Sequence, residues 1–392
     1  MPFLMLPVMT HHLSPTEFGA LAIFLLANSC ISAFVGMNVH ANISKNFFTL
    51  PKDKLGDMIG NIFVVMLVSS FIATVFFAVV ALFVNDLFSL PLSAFLVMPL
   101  LSFMTMVNTI NLTILRNEGR AYIYGAFEVA CTVLAISVTL VFLLSLEAGW
   151  RSQVYGLLTA YGVFFFVAIV YMTKRGYLSL NISSVEVRRV LGSSVPMIPY
   201  VLAGIVMNVS DRVFIERMVG LEAVGHYAIG YNFGMIVLMF TDAFAKAWSP
   251  WFYKLMSKPT EGNKKTVVRY SYFYAMGVFC LVVAVSVFAY FAIPFMVSQA
   301  FLGAASYVFW IALALAIQGL YKMLFPYFIL MERHYVLSGI LVICALSNLV
   351  FSYVLVDHFG AVGAAYSSAL AWGGAVVMAF IYKQRICAMP WR

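Results

Sequence analysis

Two adjacent charged residues, Asp211 and Arg212, lie inside an apolar stretch that is long enough to enter a lipid bilayer. The stretch covers residues 194–231 and turns through a short polar loop at 220–227 into a second apolar segment. A charge at mid-helix depth costs at least about 2.5–3.5 kcal/mol on insertion, so intramembrane charges are usually kept for a function. Arginine suits an anion because its planar guanidinium forms paired, charge-assisted hydrogen bonds, and a neighbouring carboxylate can tune it or compete for it. The pair therefore indicates an anion-binding site, or else a structural pair whose two side chains have different partners.

Five further charged residues lie within or at the ends of apolar segments. Lys322, Lys246 and Arg116 are cations that could contact an anionic substrate, although long basic side chains also mark the membrane interface. Glu128 and Asp242 are acids, and burial in a bilayer disfavours a charged carboxylate, so each is a candidate for carrying a coupled ion. Asp242 and Lys246 are four residues apart, so a neutralising pair along one helix explains them equally well.

The composition is typical of a membrane protein. Of 392 residues, 64% are hydrophobic and 10% are charged, whereas a soluble domain carries roughly 25% charged residues. The net charge of +8 does not indicate nucleic-acid binding, because the basic residues lie in short loops between apolar runs. The five cysteines have neither disulfide nor metal-ligand spacing, and no hydrolase, kinase or metalloenzyme motif occurs. We expect no metal, no cofactor and no enzymatic activity.

Apolar runs long enough to span a bilayer recur eleven times, and a shorter run covers residues 1–10. The short run is about 15 Å long as a helix, or half a bilayer, which indicates a shortened first helix or a start upstream of Met1; we favour the second. Together the runs predict an all-α membrane protein of about twelve helices. The eleven long runs are about 18–39, 58–84, 92–114, 121–146, 153–173, 194–217, 226–247, 270–293, 307–329, 337–356 and 361–382.

The basic residues predict the orientation of these segments. Nineteen of the 23 Lys and Arg residues lie in loops after even-numbered segments or in the C-terminal tail, three lie on the other side, and Lys322 lies within a segment. Loops rich in Lys and Arg stay in the cytoplasm. We therefore expect a cytoplasmic C-terminus, and an even number of segments if the N-terminus faces the same side.

The two halves of the chain resemble each other. The sequence LSPTEFGALAI at 13–23 matches GLEAVGHYAI at 220–229, and TILRNEGRAYIYG at 113–125 matches FILMERHYVLSG at 328–339, with offsets of 206 and 214 residues. Because the offset corresponds to six helices, both copies face the same way, as in transporters built from parallel repeats. We expect an N-terminal bundle at 1–175, a cytoplasmic linker at 176–193 and a C-terminal bundle at 194–392, with a substrate cavity between the bundles.

Two stretches identify a family resemblance. The segment NVSDRVFIERMVGLEAVGHYAIGY at 208–231 and the loop LRNEGR at 115–120, with the twelve-helix pattern, resemble the polysaccharide biosynthesis, or O-antigen flippase, family. That family belongs to the multidrug/oligosaccharidyl-lipid/polysaccharide exporter superfamily, and the resemblance covers nearly the whole chain. Its most recognisable positions are Asn208, Asp211, Arg212, Gly220, Val224, Gly225 and Tyr227.

The resemblance implies transport of an undecaprenyl-pyrophosphate-linked oligosaccharide from the cytoplasmic to the outer leaflet of the bacterial inner membrane, by alternating access. The product would serve O-antigen (lipopolysaccharide), capsule or exopolysaccharide assembly, with H⁺ or Na⁺ and the polysaccharide polymerase machinery as further candidate partners. In that setting Arg212 and then Lys322 are the first candidates to bind the diphosphate, with Asp211, Arg116 and Lys246 beside them. The alternative is a multidrug or cation antiporter of the same superfamily. A glycan polymerase or ligase would need a long outward loop that the chain lacks, and a lipid II flippase would need additional helices.

Overall fold

The computed structural model describes residues 2–36, 43, 46–47, 50–83, 90–179, 181–194, 198–256, 260–331 and 333–391. Within these ranges it contains thirteen α-helices, a 3-10 turn at Gln299–Ala304 and no strand, which confirms the predicted all-α fold. The helices are α1 (Pro2–His12), α2 (Pro15–Gly36), α3 (Lys52–Phe83), α4 (Leu92–Asn117), α5 (Ala121–Leu144), α6 (Arg151–Lys174), α7 (Ser184–Ser194), α8 (Ile198–Met218), α9 (Leu221–Met256), α10 (Glu261–Met296), α11 (Ala305–Leu330), α12 (His334–Phe359) and α13 (Ala361–Ile386).

Most of these helices are membrane spans. Among the described residues, ten helices are long and apolar enough to cross a bilayer. Their outer surfaces are apolar as well: Phe71, Ile72, Phe291 and Phe295 are each more than 60% exposed. A soluble protein rarely exposes so large a contiguous apolar surface, so the chain is a multi-pass membrane protein. Of the predicted segment at 194–217, residues 195–197 lie outside the described ranges, and most of the rest is α8, which is not one of these ten helices. The predicted short segment at 1–10 overlaps α1, which begins at Pro2.

The helices pack into two compact units. The N-terminal unit is Ala20–Leu202, and the C-terminal unit is Pro2–Gly19 together with Ala203–Arg392. The core of the N-terminal unit lies where α3, α4, α5 and α6 meet. In the C-terminal unit α9 packs along α11, with buried aromatic side chains between them. The ring centroids of Phe252 and Tyr327, for example, are 4.4 Å apart. The predicted division of the repeat at 176–193 stays a prediction.

The first turns of α2 and α9 touch backbone to backbone within the C-terminal unit. A Cβ atom on Gly19 would lie 2.0 Å from the carbonyl oxygen of Leu221, and one on Gly225 would lie 2.1 Å from the carbonyl oxygen of Pro15. The contact is reciprocal, since each helix start offers one glycine and one carbonyl. Gly19 and Gly225 hold equivalent positions in the repeated sequence motif.

Candidate functional site

Asp211 is buried in the C-terminal unit, with 3% of its surface exposed. The hydroxyl of Tyr227 donates a hydrogen bond of 2.6 Å to one carboxylate oxygen. The hydroxyl of Ser368 lies 2.9 Å from both oxygens. Because these partners lie on α9 and α13, the carboxylate joins three helices. A buried carboxylate needs such donors, since burial without them is costly.

A second set of polar contacts continues beside Asp211. Ser210 donates a 2.6 Å hydrogen bond to the side-chain oxygen of Asn348 on α12, and the hydroxyls of Ser352 and Ser367 lie 2.8 Å apart. Hydrogen bonds between small polar side chains hold membrane helices together, although each contributes only about 0.6–2 kcal/mol. The sequence offered no signal for these serines, because single hydroxyls in apolar helices are common.

Arg212 has a different environment from its neighbour. Its guanidinium carbon lies 4.5 Å from the centre of the Tyr231 ring on α9, a cation–π contact. The residue is half-buried, and its Nε atom is buried without a hydrogen-bond partner among the described residues. The ring covers one face of the guanidinium. A role for Arg212 in binding an anion stays a prediction.

The space beside Asp211 is too small for a substrate group in this conformation. The cavity between Asp211, Tyr227, Tyr231 and Trp372 measures about 10 Å³, whereas a single water needs at least roughly 10–15 Å³. Asp211 accordingly acts here as a structural acceptor that fixes α8 beside α9 and α13. This arrangement also positions Arg212, because the two residues are neighbours on α8.

Asp242 and Lys322 form an ion pair between α9 and α11. The ammonium nitrogen lies 2.5 Å from a carboxylate oxygen, and the two side chains remain 26% (Lys322) and 44% (Asp242) exposed. Asp242 thus pairs across helices with Lys322 instead of along α9 with Lys246. Pairing neutralises both charges at a partly accessible position, so an anion that reached Lys322 would have to compete with Asp242.

The two remaining candidate cations are exposed. Lys246 is exposed on α9 of the C-terminal unit, and Arg116 is exposed in the last turn of α4 in the N-terminal unit. Both positions suit basic side chains at a membrane interface. A role for either in substrate binding stays a prediction.

Glu128 borders a polar cavity inside the N-terminal unit. The cavity measures about 120 Å³, which leaves room for several water molecules. It lies between α4, α5 and α6, and Asn108 is 2% exposed there, with a side-chain oxygen that has no hydrogen-bond partner among the described residues. A carboxylate among hydroxyl and amide oxygens can hold a proton or a small cation. The polar lining consists of Thr105, Asn108, Thr109, Glu128, Cys131, Thr132 and Tyr161.

The loop LRNEGR forms a structural junction. Glu118 accepts hydrogen bonds from the hydroxyls of Tyr171 at 2.9 Å and Tyr177 at 2.8 Å, and it pairs with Arg120 at 3.0 Å. Burial, reinforced by Glu118, raises the pKa of Tyr177 to about 12. The carboxylate therefore holds the end of α4 against the end of α6. In the described part of the chain, no three His, Cys, Asp or Glu side chains form a group suited to a metal.

The comparisons with known proteins identify the family. The family model described as polysaccharide biosynthesis protein matches residues 1–256. The chain belongs to this family. No curated protein matches the chain.

Solved structures share the fold at low sequence identity. A multidrug resistance MATE family transporter of the MOP superfamily, in an inward-facing conformation, matches with a TM-score of 0.74 and 16% identity, covering 97% of this chain and 93% of that one. An outward-facing structure from that family matches with a TM-score of 0.62, 17% identity and coverage of 98% and 91%. The lipid II flippase MurJ, in an inward closed conformation, matches with a TM-score of 0.66, 15% identity and coverage of 96% and 83%. The chain thus shares its fold with these transporter and flippase structures.

Proposed function

We propose that this protein is a flippase that moves a polyprenyl-pyrophosphate-linked oligosaccharide from the cytoplasmic to the outer leaflet of a bacterial inner membrane. The main support is the family match over residues 1–256, which includes the Asp211–Arg212 stretch, on a fold also found in a lipid flippase. The product would enter O-antigen, capsule or exopolysaccharide assembly, with a polysaccharide polymerase as a downstream partner.

Arg212 is the proposed contact for the diphosphate. The Tyr231 ring at 4.5 Å holds the guanidinium in place, and a held guanidinium loses less freedom when it binds phosphate with two hydrogen bonds. Asp211 would act indirectly, because its bonds to Tyr227 and Ser368 fix the part of α8 that carries Arg212.

Lys322 is the proposed second cation. Its present partner is Asp242, and a diphosphate carries more negative charge than one carboxylate. Substrate binding at Lys322 would therefore release Asp242, which links arrival of the anion to a change between α9 and α11. Lys246 and Arg116 would contribute positive potential.

Glu128 is the proposed carrier of a coupled H⁺ or Na⁺. Its cavity in the N-terminal unit contains the oxygen atoms that such ions prefer. Asp242 is the other candidate, because its release from Lys322 would leave a carboxylate free to bind an ion.

The alternative function is export of cationic drugs in exchange for an ion. The observation that favours it is the similarity to MATE transporters, at a TM-score of 0.74, together with the acidic residue in the polar cavity of the N-terminal unit. An organic cation would be attracted to Glu128, whereas a diphosphate would be attracted to Arg212.

Transport by purified protein in liposomes tests the proposal. The substrate is a fluorescent polyprenyl-diphosphate oligosaccharide, and ethidium is the competing substrate. We expect flipping of the lipid-linked sugar, near-complete loss of flipping in Arg212→Ala, and partial activity in Arg212→Lys because lysine keeps the charge without the planar fork. Arg217→Gln, on the same helix, removes an equal charge and keeps a hydrogen-bond donor for Glu216, which Arg217 contacts at 3.3 Å. It is the control and should retain activity.

Two outcomes of the liposome assay would contradict the proposal. If Arg212→Ala flips the lipid-linked sugar as well as the unmodified protein does, Arg212 is not in the binding site. If the protein transports ethidium and leaves the lipid-linked sugar in place, the antiporter is the correct function. In cells, Arg212→Ala should abolish surface glycan while the protein still reaches the membrane.

A further inference from the structure

The predicted linker between the two halves contains a helix with two different faces. Helix α7 spans Ser184–Ser194 and directs Val187, Val190 and Leu191 into the core of the N-terminal unit. Val190 is 3% exposed and belongs to the same cluster as Leu55 and Ile62 of α3. The helix is therefore docked onto α3, whereas a flexible connection would have no buried side.

The segment that leads into α7 is fixed to α3 through its backbone. The side chain of Asn61 donates a hydrogen bond of 3.1 Å to the carbonyl oxygen of Asn181 and accepts one of 2.9 Å from the backbone amide of Ser183. A Cβ atom on Gly60 would lie 1.8 Å from the carbonyl oxygen of Ser179, so only glycine permits this approach. Both contacts place α7 at a defined position along α3.

That position corresponds to the depth of the lipid headgroups. Helix α3 has 32 residues and is about 48 Å long, whereas the hydrocarbon core of a bilayer is about 30 Å thick. Its first residues include Lys52, Asp53, Lys54 and Asp57, so this end extends beyond the hydrocarbon. Helix α7 packs beside residues 55–62, at the side of the membrane where Lys and Arg concentrate.

The outer face of α7 combines two cations with exposed apolar side chains. Val185 is 74% exposed, and Ile182, just before the helix, is 61% exposed. Arg188 and Arg189 follow Val185 by three and four residues, so they share its face, and both are exposed. Arg189 pairs with Glu186 at 3.0 Å, but such an exposed pair contributes little and is easily exchanged.

We propose that this face of α7 binds the phosphate headgroups of anionic phospholipids in the cytoplasmic leaflet. The two guanidinium groups match phosphate in charge and geometry, and the adjacent apolar side chains can enter the boundary between headgroups and acyl chains. Zwitterionic lipid lacks the net negative charge that the arginines would attract. The proposal is independent of the transported substrate.

Thermal unfolding of the full chain in detergent micelles tests this. Phosphatidylglycerol is added at increasing mole fraction, and the half-saturating fraction is read from the rise in the unfolding midpoint, because a ligand that binds only the folded state stabilises it. We expect stabilisation by phosphatidylglycerol and none by phosphatidylcholine. In the double variant Arg188→Gln/Arg189→Gln the half-saturating fraction should rise about thirtyfold, and in Val185→Ser about fivefold.

The chain supplies a matched control at the start of α10. Lys264 and Lys265 are adjacent cations, and Lys264 pairs with Glu261 three residues earlier at 3.5 Å, as Arg189 does with Glu186. Lys264→Gln/Lys265→Gln removes the same charge but should raise the half-saturating fraction much less, because the Lys264 side chain is only 24% exposed whereas that of Arg189 is 71% exposed. Equal effects of the two double variants, or equal stabilisation by phosphatidylcholine, would overturn the proposal. Midpoints measured without added lipid verify that each variant folds.

Discussion

Replacing Gly225 by alanine tests the backbone contact between α2 and α9. The added Cβ would lie 2.1 Å from the carbonyl oxygen and 2.9 Å from the carbonyl carbon of Pro15. Carbon and oxygen atoms normally approach to about 3.3–3.6 Å. The two helix starts must therefore separate by roughly 1.2–1.5 Å, because a backbone carbonyl cannot rotate away as a flexible side chain can.

The cost follows from two opposing effects. Forcing an extra methyl group into a packed contact typically costs about 1–3 kcal/mol. Alanine is a better helix former than glycine by about 1 kcal/mol, which offsets part of that cost. We expect a net loss of up to roughly 2 kcal/mol. For a chain of 392 residues, this corresponds to an unfolding midpoint lower by up to about 2–3 °C.

Thermal unfolding in detergent measures the effect. Gly277→Ala in α10 is the control, because nothing lies within 4 Å of the added atom, and it should leave the midpoint unchanged or raise it slightly. Gly19→Ala should act like Gly225→Ala. The double variant should cost less than the sum, since one separation of the helices relieves both clashes. The steric reasoning fails if Gly225→Ala is as stable as Gly277→Ala.

Three other predictions concern the polar contacts. Asp211→Ala should lower the free energy of unfolding by about 3–5 kcal/mol, because it leaves the buried hydroxyls of Tyr227 and Ser368 unpaired. Asp211→Asn should lower it by less. Denaturant titration compares the two variants, and equal losses would contradict the hydrogen bonds to Asp211. Asp242→Asn removes the partner of Lys322, so binding of a polyprenyl diphosphate should tighten by up to about fivefold. Lys322→Gln should weaken that binding, and equilibrium binding measurements on both variants check that the two effects have opposite signs. The pKa of Tyr177 is raised from 10.0 to about 12, so the stability that comes from its neutral form is complete below about pH 10 and is lost as the pH rises to about 12. Tyr177→Phe should remove that loss in an alkaline unfolding series, and an unchanged alkaline loss would argue against the Glu118 contact.

The sequence by itself determined the environment, the helices and the family features of this protein. Long apolar runs with few charges leave a bilayer as the only suitable solvent, and the predicted runs correspond to helices of the structure. The same reasoning located Asp211 and Arg212, because a charge in an apolar run is conspicuous. Backbone hydrogen bonds within each helix are local, so their prediction needs no knowledge of packing.

Only the tertiary structure decided which side chains meet. Asp211 is bonded by Ser368, which is 157 residues away, and no periodicity in α13 marks that serine. Asp242 pairs with Lys322 on α11 and not with Lys246, its i,i+4 neighbour on α9. The sequence spacing showed only Lys246, whereas helix packing brings Lys322 close. Residues 184–194, at the end of the predicted linker, form the docked helix α7 because α3 presents a complementary apolar face. In a bilayer, lipid and protein are equally apolar, so hydropathy identifies the spans, whereas close packing and specific hydrogen bonds select their neighbours.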